Sequence, residues 1–490
     1  GDAALRAGVT DVVRARAERL GEVAYRALCR AAVIGRRFGF DLLVDLSGLR
    51  PSQALRALEQ GRAAGLIVED PTRGERVAWN FAHDKVREAL YDAVPPDDLR
   101  ALHAKIGDSI RQDEPGDLGN VAAELAYHYT RADDGPRAIE FHLLAAERAA
   151  SAFVLRDAAQ HFRAALDLID PADEPGRFAR TVASYAAARR YAGDYVELVP
   201  LLERALEVAE RLGDPLLEVE ITGRQAMVAE LSSSPDAEAW IRRFAARAEA
   251  VGDARAIAVG LAMLSYHHFD HGEPREAIFY VEQALAEREL LEPIEALNLE
   301  GVLGYSRART GFFAEGVERI RAALRTAEAT GLRASQGWCW TTLGALHLEW
   351  NEWEEGLRCY ERARPILEET GDVFYMSIAR ATYAVSRILS GEVDEGRRLL
   401  EEAMAWARAR GVVAYQDAFT CFLGEAQVLG GRSEDGIARL RAALEGARVR
   451  RDRWIGARSR RALAEALAQD PASRAEAERL ANEALVIAED

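Results

Sequence analysis

From about Arg255 to Arg453 the chain repeats itself at a spacing of 39 or 40 residues. Turn-forming residues recur at Gly272, Gly311, Asn351, Gly391 and Gly431. Small residues keep the same beat in three further columns: Ser265, Gly304, Gly344, Ala384 and Gly424; Ala277, Gly316, Gly356, Gly396 and Gly436; Ala284, Ala323, Ala363, Ala403 and Ala443. A period of this length constrains the fold more tightly than any composition, because it marks structural units that bury their apolar faces on their neighbours.

Between successive turns lie two apolar-periodic segments, such as Glu295–Thr310 and Ala314–Thr330, with Leu299, Leu303, Ile320 and Leu324 at helical spacing. A second set of turn residues, Gly252, Gly331, Gly371 and Gly411, stands where a C-cap glycine closes a helix. Glycine inside a helix costs about 1 kcal/mol relative to alanine, so the small columns imply close helix crossing. The spacing Leu343, Gly344, Gly356, Tyr360, Ala363 resembles the tetratricopeptide repeat. A period of 40 is similar to the longer variant in the sensor superhelix of MalT-like regulators.

With 490 residues, 49% of them hydrophobic and 29% charged, the chain has room for more than one domain and material for a large core. The net charge of −17 argues against a surface that binds nucleic acid throughout. Lys85 and Lys105 are the only lysines among 63 basic side chains, a bias we read as genomic. Cys29, Cys339, Cys359 and Cys421 have no metal-ligand spacing, which fits free thiols in a reducing cytoplasm. No run of 18 apolar residues predicts a membrane span. The chain begins at Gly1 in mid-pattern and is expected to be a piece of a longer protein.

Before the repeats, Thr10–Leu20 and Glu22–Val33 read as helices, Phe40–Leu46 as a short helix stopped by Ser47-Gly48, and Pro51 opens another that ends at Gly65. Leu66-Ile67-Val68, a turn through Pro71 and Gly74, and Val77–Phe81 read as a hairpin, giving a winged-helix outline. The next stretch, Phe81-Ala82-His83-Asp84-Lys85 to Tyr91, together with Ala31–Gly35 and Ala64–Ile67, resembles the winged-helix domain of STAND-class signal-transducing ATPases, notably the large ATP-binding LuxR-type regulators. His83-Asp84 matches the His-Asp of that family's MHD motif, with Ala82 in place of Met. The resemblance implies that His83 senses the β-phosphate of ADP in the intact protein. No GxxxxGK[ST] occurs, so this chain is not expected to be an enzyme or to hold a cofactor itself. ATP and ADP belong to the expected parent.

Helical segments Val121–Arg131, Arg137–Ala150 and Leu155–Ile169 suggest a coupling unit, and the acidic, proline-bearing Pro171–Gly176 a boundary. Irregular repeats over Phe178–Val251, with Gly193 and Gly213, lead into the regular ones, and Asp470-Pro471 breaks the last unit. The expected fold is all-α with one small β-hairpin: a winged helix over 1–112, a helical coupling unit over 113–171 and an α-solenoid sensor over 172–490.

In tetratricopeptide arrays the first helix of each pair lines the concave groove. By that register the groove candidates are Tyr266, Asp270, Asn298, Tyr305, Arg309, Trp338, Thr341, Glu349 and Glu425, and the lining suits a small polar inducer or a peptide. A polar column where the consensus has tyrosine, His268, Arg307, His347, Arg387 and Gln427, is read either as an anion ladder or as bonds between helix ends. His267 and His271 offer two ligands, too few for a metal by themselves, and Arg448–Arg461 reads as a solvated repeat edge. No nucleophile and base arrangement stands at a turn that would expose it. The resemblance implies a sensor that couples an inducer or partner protein to the nucleotide-binding domain of the same chain and to transcription activation, with self-association on activation. A passive interaction scaffold, or the sensor of a nucleotide-cyclase-linked ATPase, stands as the alternative.

Overall fold

The computed structural model describes residues 11–70, 78–113, 116, 118–152, 154–190, 195–232 and 234–489. Gly1, Thr10, Gly193 and the 71–77 turn lie outside them. The chain divides into two compact units, 1–173 and 174–490.

In the first unit a helix over 11–18 precedes Glu22–Ile34, Phe40–Ser47 and Pro51–Ala63. Gly48 and Gly65 end the last two in the left-handed region at φ 65° and 66°. Strands β1 (Arg37–Gly39), β2 (Ile67–Asp70) and β3 (Ala78–Phe81) form an antiparallel sheet in the order β1-β3-β2. The expected hairpin thus gains a third strand, too short at three residues to show a period of its own. Phe38 pairs with Trp79 and Ile67 with Phe81, which turns Phe38, Ile67 and Phe81 onto Leu28, Leu43 and Leu58 in one core. Helices Asp84–Tyr91, Pro96–Asp113, Leu118–Arg131, Gly135–Ser151 and Leu155–Leu168 complete the unit.

Those last helices are joined by paired histidines, of which His103, His128 and His142 are buried. His103 and His128 meet Nδ1 to Nδ1 at 2.8 Å, His142 and His161 at 2.9 Å, and the Tyr91 and Thr130 hydroxyls lie 2.9 and 3.0 Å from the outer ring nitrogens. Burial lowers the pKa of His103, His128 and His142 to about 4, so each is neutral at pH 7.

The second unit is a stack of helical hairpins. Two irregular pairs, Pro175–Ala188 with Leu198–Leu212 and Pro215–Leu231 with Ala237–Val251, precede the regular array. Five regular pairs follow: Ala254–Asp270 with Pro274–Ala286, Pro293–Arg309 with Phe313–Ala329, Arg333–Glu349 with Trp353–Thr370, Val373–Leu389 with Val393–Arg408, and Gln416–Leu429 with Ser433–Arg450. Arg453–Leu467 and Arg474–Glu489 make a further pair around the Asp470-Pro471 break. Every turn residue of the first column has positive φ, from 62° at Asn351 to 99° at Gly311, and so do Gly252, Gly331, Gly371 and Gly411. The small columns are the crossing points: a Cβ on Gly316 would stand 2.2 Å from the Gly304 carbonyl oxygen, and one on Gly436 2.8 Å from that of Gly424. The unit is therefore an α-solenoid of tetratricopeptide-like hairpins with a 40-residue period. Among the described residues, no helix is long and apolar enough to cross a membrane.

Candidate ligand-binding cavity

The first helix of each regular hairpin turns one face toward a common interior, and the array winds far enough that its ends meet. The Arg453 N–H donates to the His271 carbonyl at 2.9 Å, and the Tyr415 hydroxyl donates to Asp270. Gly272 sits at φ 72°, and a Cβ there would lie 2.5 Å from Trp454 Cβ, so both backbone and closure require glycine. The space between these faces is a cavity of about 200 Å³. Its wall is mostly apolar, with Met227, Met263, Phe374, Ile378, Val385 and Phe422 among the lining side chains.

Charged groups in this wall are held by one another. Arg309 donates to both Glu349 oxygens, Nε to Oε2 at 3.1 Å and Nη2 to Oε1 at 2.6 Å, and the Tyr305 hydroxyl donates to Glu349 at 2.8 Å. Its guanidinium also lies 4.7, 4.9 and 5.6 Å from the Tyr305, Trp454 and Phe269 rings. Burial opposes the charge on Arg309, and Glu349 more than offsets it, so its pKa is raised. Arg458 is bonded to Glu425 at 2.8 Å. His267 Nδ1 meets Glu230 at 2.8 Å; burial works against the imidazolium, yet the Glu230 bond and charge raise its pKa overall. Asp270 is pushed up to about 7, first by burial and then by the Glu230 charge. Asp452 caps the Arg453–Leu467 helix by accepting the Ile455 N–H, and burial raises its carboxyl too.

Eight of the sequence candidates, Tyr266, Asp270, Asn298, Tyr305, Arg309, Trp338, Thr341 and Glu349, line this cavity. Tyr305 and Trp338 are 4% and 3% exposed and belong to the packed core as well as to the wall. Four candidates are corrected. His268 bonds Glu273 and stacks on Tyr280 at 5.2 Å, Arg307 pairs with Glu282, His347 with Glu352 and Arg387 with Glu392. None of the four lines the cavity. Residues two apart on a helix point about 200° apart, so His268 cannot share a face with Tyr266 and Asp270, nor Arg307 with Tyr305 and Arg309. Three of these contacts tie the end of a first helix to the start of its second across the turn. Glu425 stands behind the wall, bonded to Arg458 and Arg461.

Sequence reasoning missed Ile378, Val385, Phe419, Phe422 and Arg458, although the period carried a signal for part of the set. Asn298, Trp338, Ile378 and Ala418 follow one another at 40-residue steps, and all four line the cavity. Glu230, His267 and His271 also come together, with ligand atoms within 4.8 Å of one another. His267 Nδ1 is occupied by Glu230 and His271 Nδ1 by the His267 carbonyl at 2.7 Å, so the group reads as an ion pair and a capped helix end. In the first unit His83 is the N-cap residue of Asp84–Tyr91; its side chain is exposed and makes no cap hydrogen bond. Neighbouring Asp84 pairs with Arg36 at 3.3 Å.

No protein-family model and no curated protein matches the chain. Solved structures do resemble it. A STAND protein with a tetratricopeptide repeat sensor, PH0952 from Pyrococcus horikoshii, is 16% identical with a TM-score of 0.43, and the match covers 87% of this chain and 63% of that one. A Rap protein complexed with Competence and Sporulation Factor is 12% identical with a TM-score of 0.49, covering 64% of this chain and 89% of that one. The apo quorum sensor NprR from B. thuringiensis is 15% identical with a TM-score of 0.43, covering 70% of this chain and 97% of that one.

Proposed function

We propose that residues 174–490 are the ligand-reading sensor of a STAND-class signal-transducing ATPase of the LuxR-type group. In this reading residues 1–173 are its winged-helix and coupling region. The observation that carries the sensor half is the cavity: eight sequence candidates and a large apolar wall converge on one interior. The coupling half rests on the His83-Asp84 sequence at the head of the helix that follows β3, where an exposed imidazole is free of local capping duty. In the whole protein, a nucleotide-binding domain would meet this histidine, and ATP and ADP would be read there.

The cavity supplies the physical basis for switching. A small inducer or the end of a peptide held inside would bridge the two ends of the array that meet at Asp270–Tyr415 and His271–Arg453. Such a ligand binds the closed array better than an opened one, and that difference in affinity is what could bias nucleotide state, self-association and transcription activation. Free buried thiols suit a cytoplasmic setting.

A thermal-shift screen of small metabolites and short peptides against the 490-residue chain tests the sensor reading. A hit should raise the melting temperature, and Ile378→Trp, which fills the cavity from a half-buried position, should abolish the effect while circular dichroism stays unchanged. A ligand that stabilises both forms equally would place binding elsewhere and defeat this assignment.

A further inference from the structure

The charges around the cavity differ in how they are satisfied. Glu349 has Arg309, Arg458 has Glu425, Glu230 has His267, and Asp452 has a capping backbone N–H. Asp270 alone among these wall groups is met by a neutral hydroxyl, that of Tyr415, and it forms no ion pair among the described residues. It shares its wall with aromatic side chains. Tyr266 lies one helical turn before it on the same face, Phe269 precedes it and stands edge-on to Tyr305 at 5.1 Å, and the Phe374 ring lies 6.0 Å from that of Tyr415.

Resting on the cavity reading above, we propose that the ligand is an organic cation: an ammonium group on an apolar body, with Asp270 as counter-ion and the aromatic side chains of the same wall as its cage. Ring faces attract a desolvated ammonium, and the Asp270 carboxylate completes its charge. The Met, Ile, Val and Phe side chains farther along the wall receive the apolar body. An anionic ligand would face both Asp270 and Glu230, while the wall's Arg309 and Arg458 are already engaged by Glu349 and Glu425. A hard divalent ion needs about six oxygen ligands, and rings do not supply them. Burial and the nearby Glu230 charge leave the Asp270 carboxyl half-protonated near neutrality, while His267, Arg309 and the Tyr415 bond act the other way, so cation binding strengthens as pH rises past about 7.

A free amine and the N-terminus of a peptide present the same group, and the test separates them. Isothermal titration of the full chain at about pH 8 would compare phenethylamine with its neutral isostere 2-phenylethanol and its acidic counterpart 3-phenylpropanoate, and Phe-Leu amide with N-acetyl-Phe-Leu amide. The ammonium forms should bind at least about tenfold tighter than the neutral ones, and Asp270→Asn should remove that margin while 2-phenylethanol binding persists. Tyr415→Phe keeps the carboxylate and should keep the margin, which guards against a folding artefact in Asp270→Asn. Preference for phenethylamine over Phe-Leu amide identifies a free amine as the source, and the reverse identifies a peptide end. Equal binding of ammonium and neutral isosteres, or an unchanged margin in Asp270→Asn, overturns the proposal. Binding by the neutral or acidic probes alone overturns the cation assignment and leaves the cavity reading standing; binding by no probe of any charge overturns both.

Discussion

At the scale of single residues, Asp270 ties the cavity to the stability of the protein. Its carboxyl keeps a proton up to about pH 7, whereas an unfolded aspartate loses it near pH 4. Between those values the folded chain binds more protons than the unfolded one, so this group's contribution is full below about pH 4 and is lost as pH rises through 7. Asp270→Asn keeps an acceptor for the Tyr415 hydroxyl and removes the titration. It should raise the stability at pH 8 by an amount on the order of 2 kcal/mol, seen as a higher melting temperature, and have little effect at pH 4.5. Melting curves of both forms at the two pH values decide this; a variant equally or less stable at pH 8 would mean that the buried carboxylate is satisfied by more than one hydroxyl.

At the scale of elements, the hairpin crossings make a second prediction. Gly316→Val should destabilise the array by about 2–4 kcal/mol, because its Cβ would meet the Gly304 carbonyl oxygen at 2.2 Å and Ala308 Cβ at 2.8 Å, both on a packed helix. Gly311→Ala should cost about 1 kcal/mol, since nothing lies within 4 Å of its Cβ and only the φ of 99° is strained. Urea denaturation would rank them, and a Gly311→Ala loss as large as that of Gly316→Val would contradict the distinction. This contrast also explains what the sequence made legible. Turns and crossings recur at every repeat, so the column of Gly272, Gly311, Asn351, Gly391 and Gly431 marked the turns, and all five have positive φ. Part of the site was legible for the same reason, through the face that Tyr266, Asn298, Tyr305 and Trp338 share. The His268 and Arg307 column misled because its chemistry attracted attention while its angular position, half a turn away from the lining, excluded it. The closure at Trp454 and the approach of Glu230 from an irregular helix arise from superhelical winding over many repeats, which no single column encodes.

At the scale of the whole molecule, the two units respond to acid in opposite directions. In the first, His103, His128 and His142 are lowered to about 4 by burial, so the unfolded chain takes up protons between about pH 6.5 and 4 that the folded one refuses. Stability there is full above about pH 6.5 and falls with acidification; the raised Glu124 works against this trend, but three histidines outweigh one carboxyl. In the second unit Asp270 and Asp372 are both raised to about 7 by burial, and His267 is raised by Glu230, so stability increases as pH falls over the same range. Carboxylates held low by arginine, such as Glu355 beside Arg358, lose their contribution only below about pH 4.5 and do not enter this window. Hydrogen exchange by mass spectrometry on the intact chain at pH 7.5 and 5, corrected for intrinsic exchange, should therefore show protection falling in the 96–168 helices. Protection should rise in the helices Ala254–Asp270, Val373–Leu389 and Gln416–Leu429. Parallel changes in the two sets would mean that the histidine pairs or the buried acids are solvated, and with them would go the account of the interior given by the side-chain geometry.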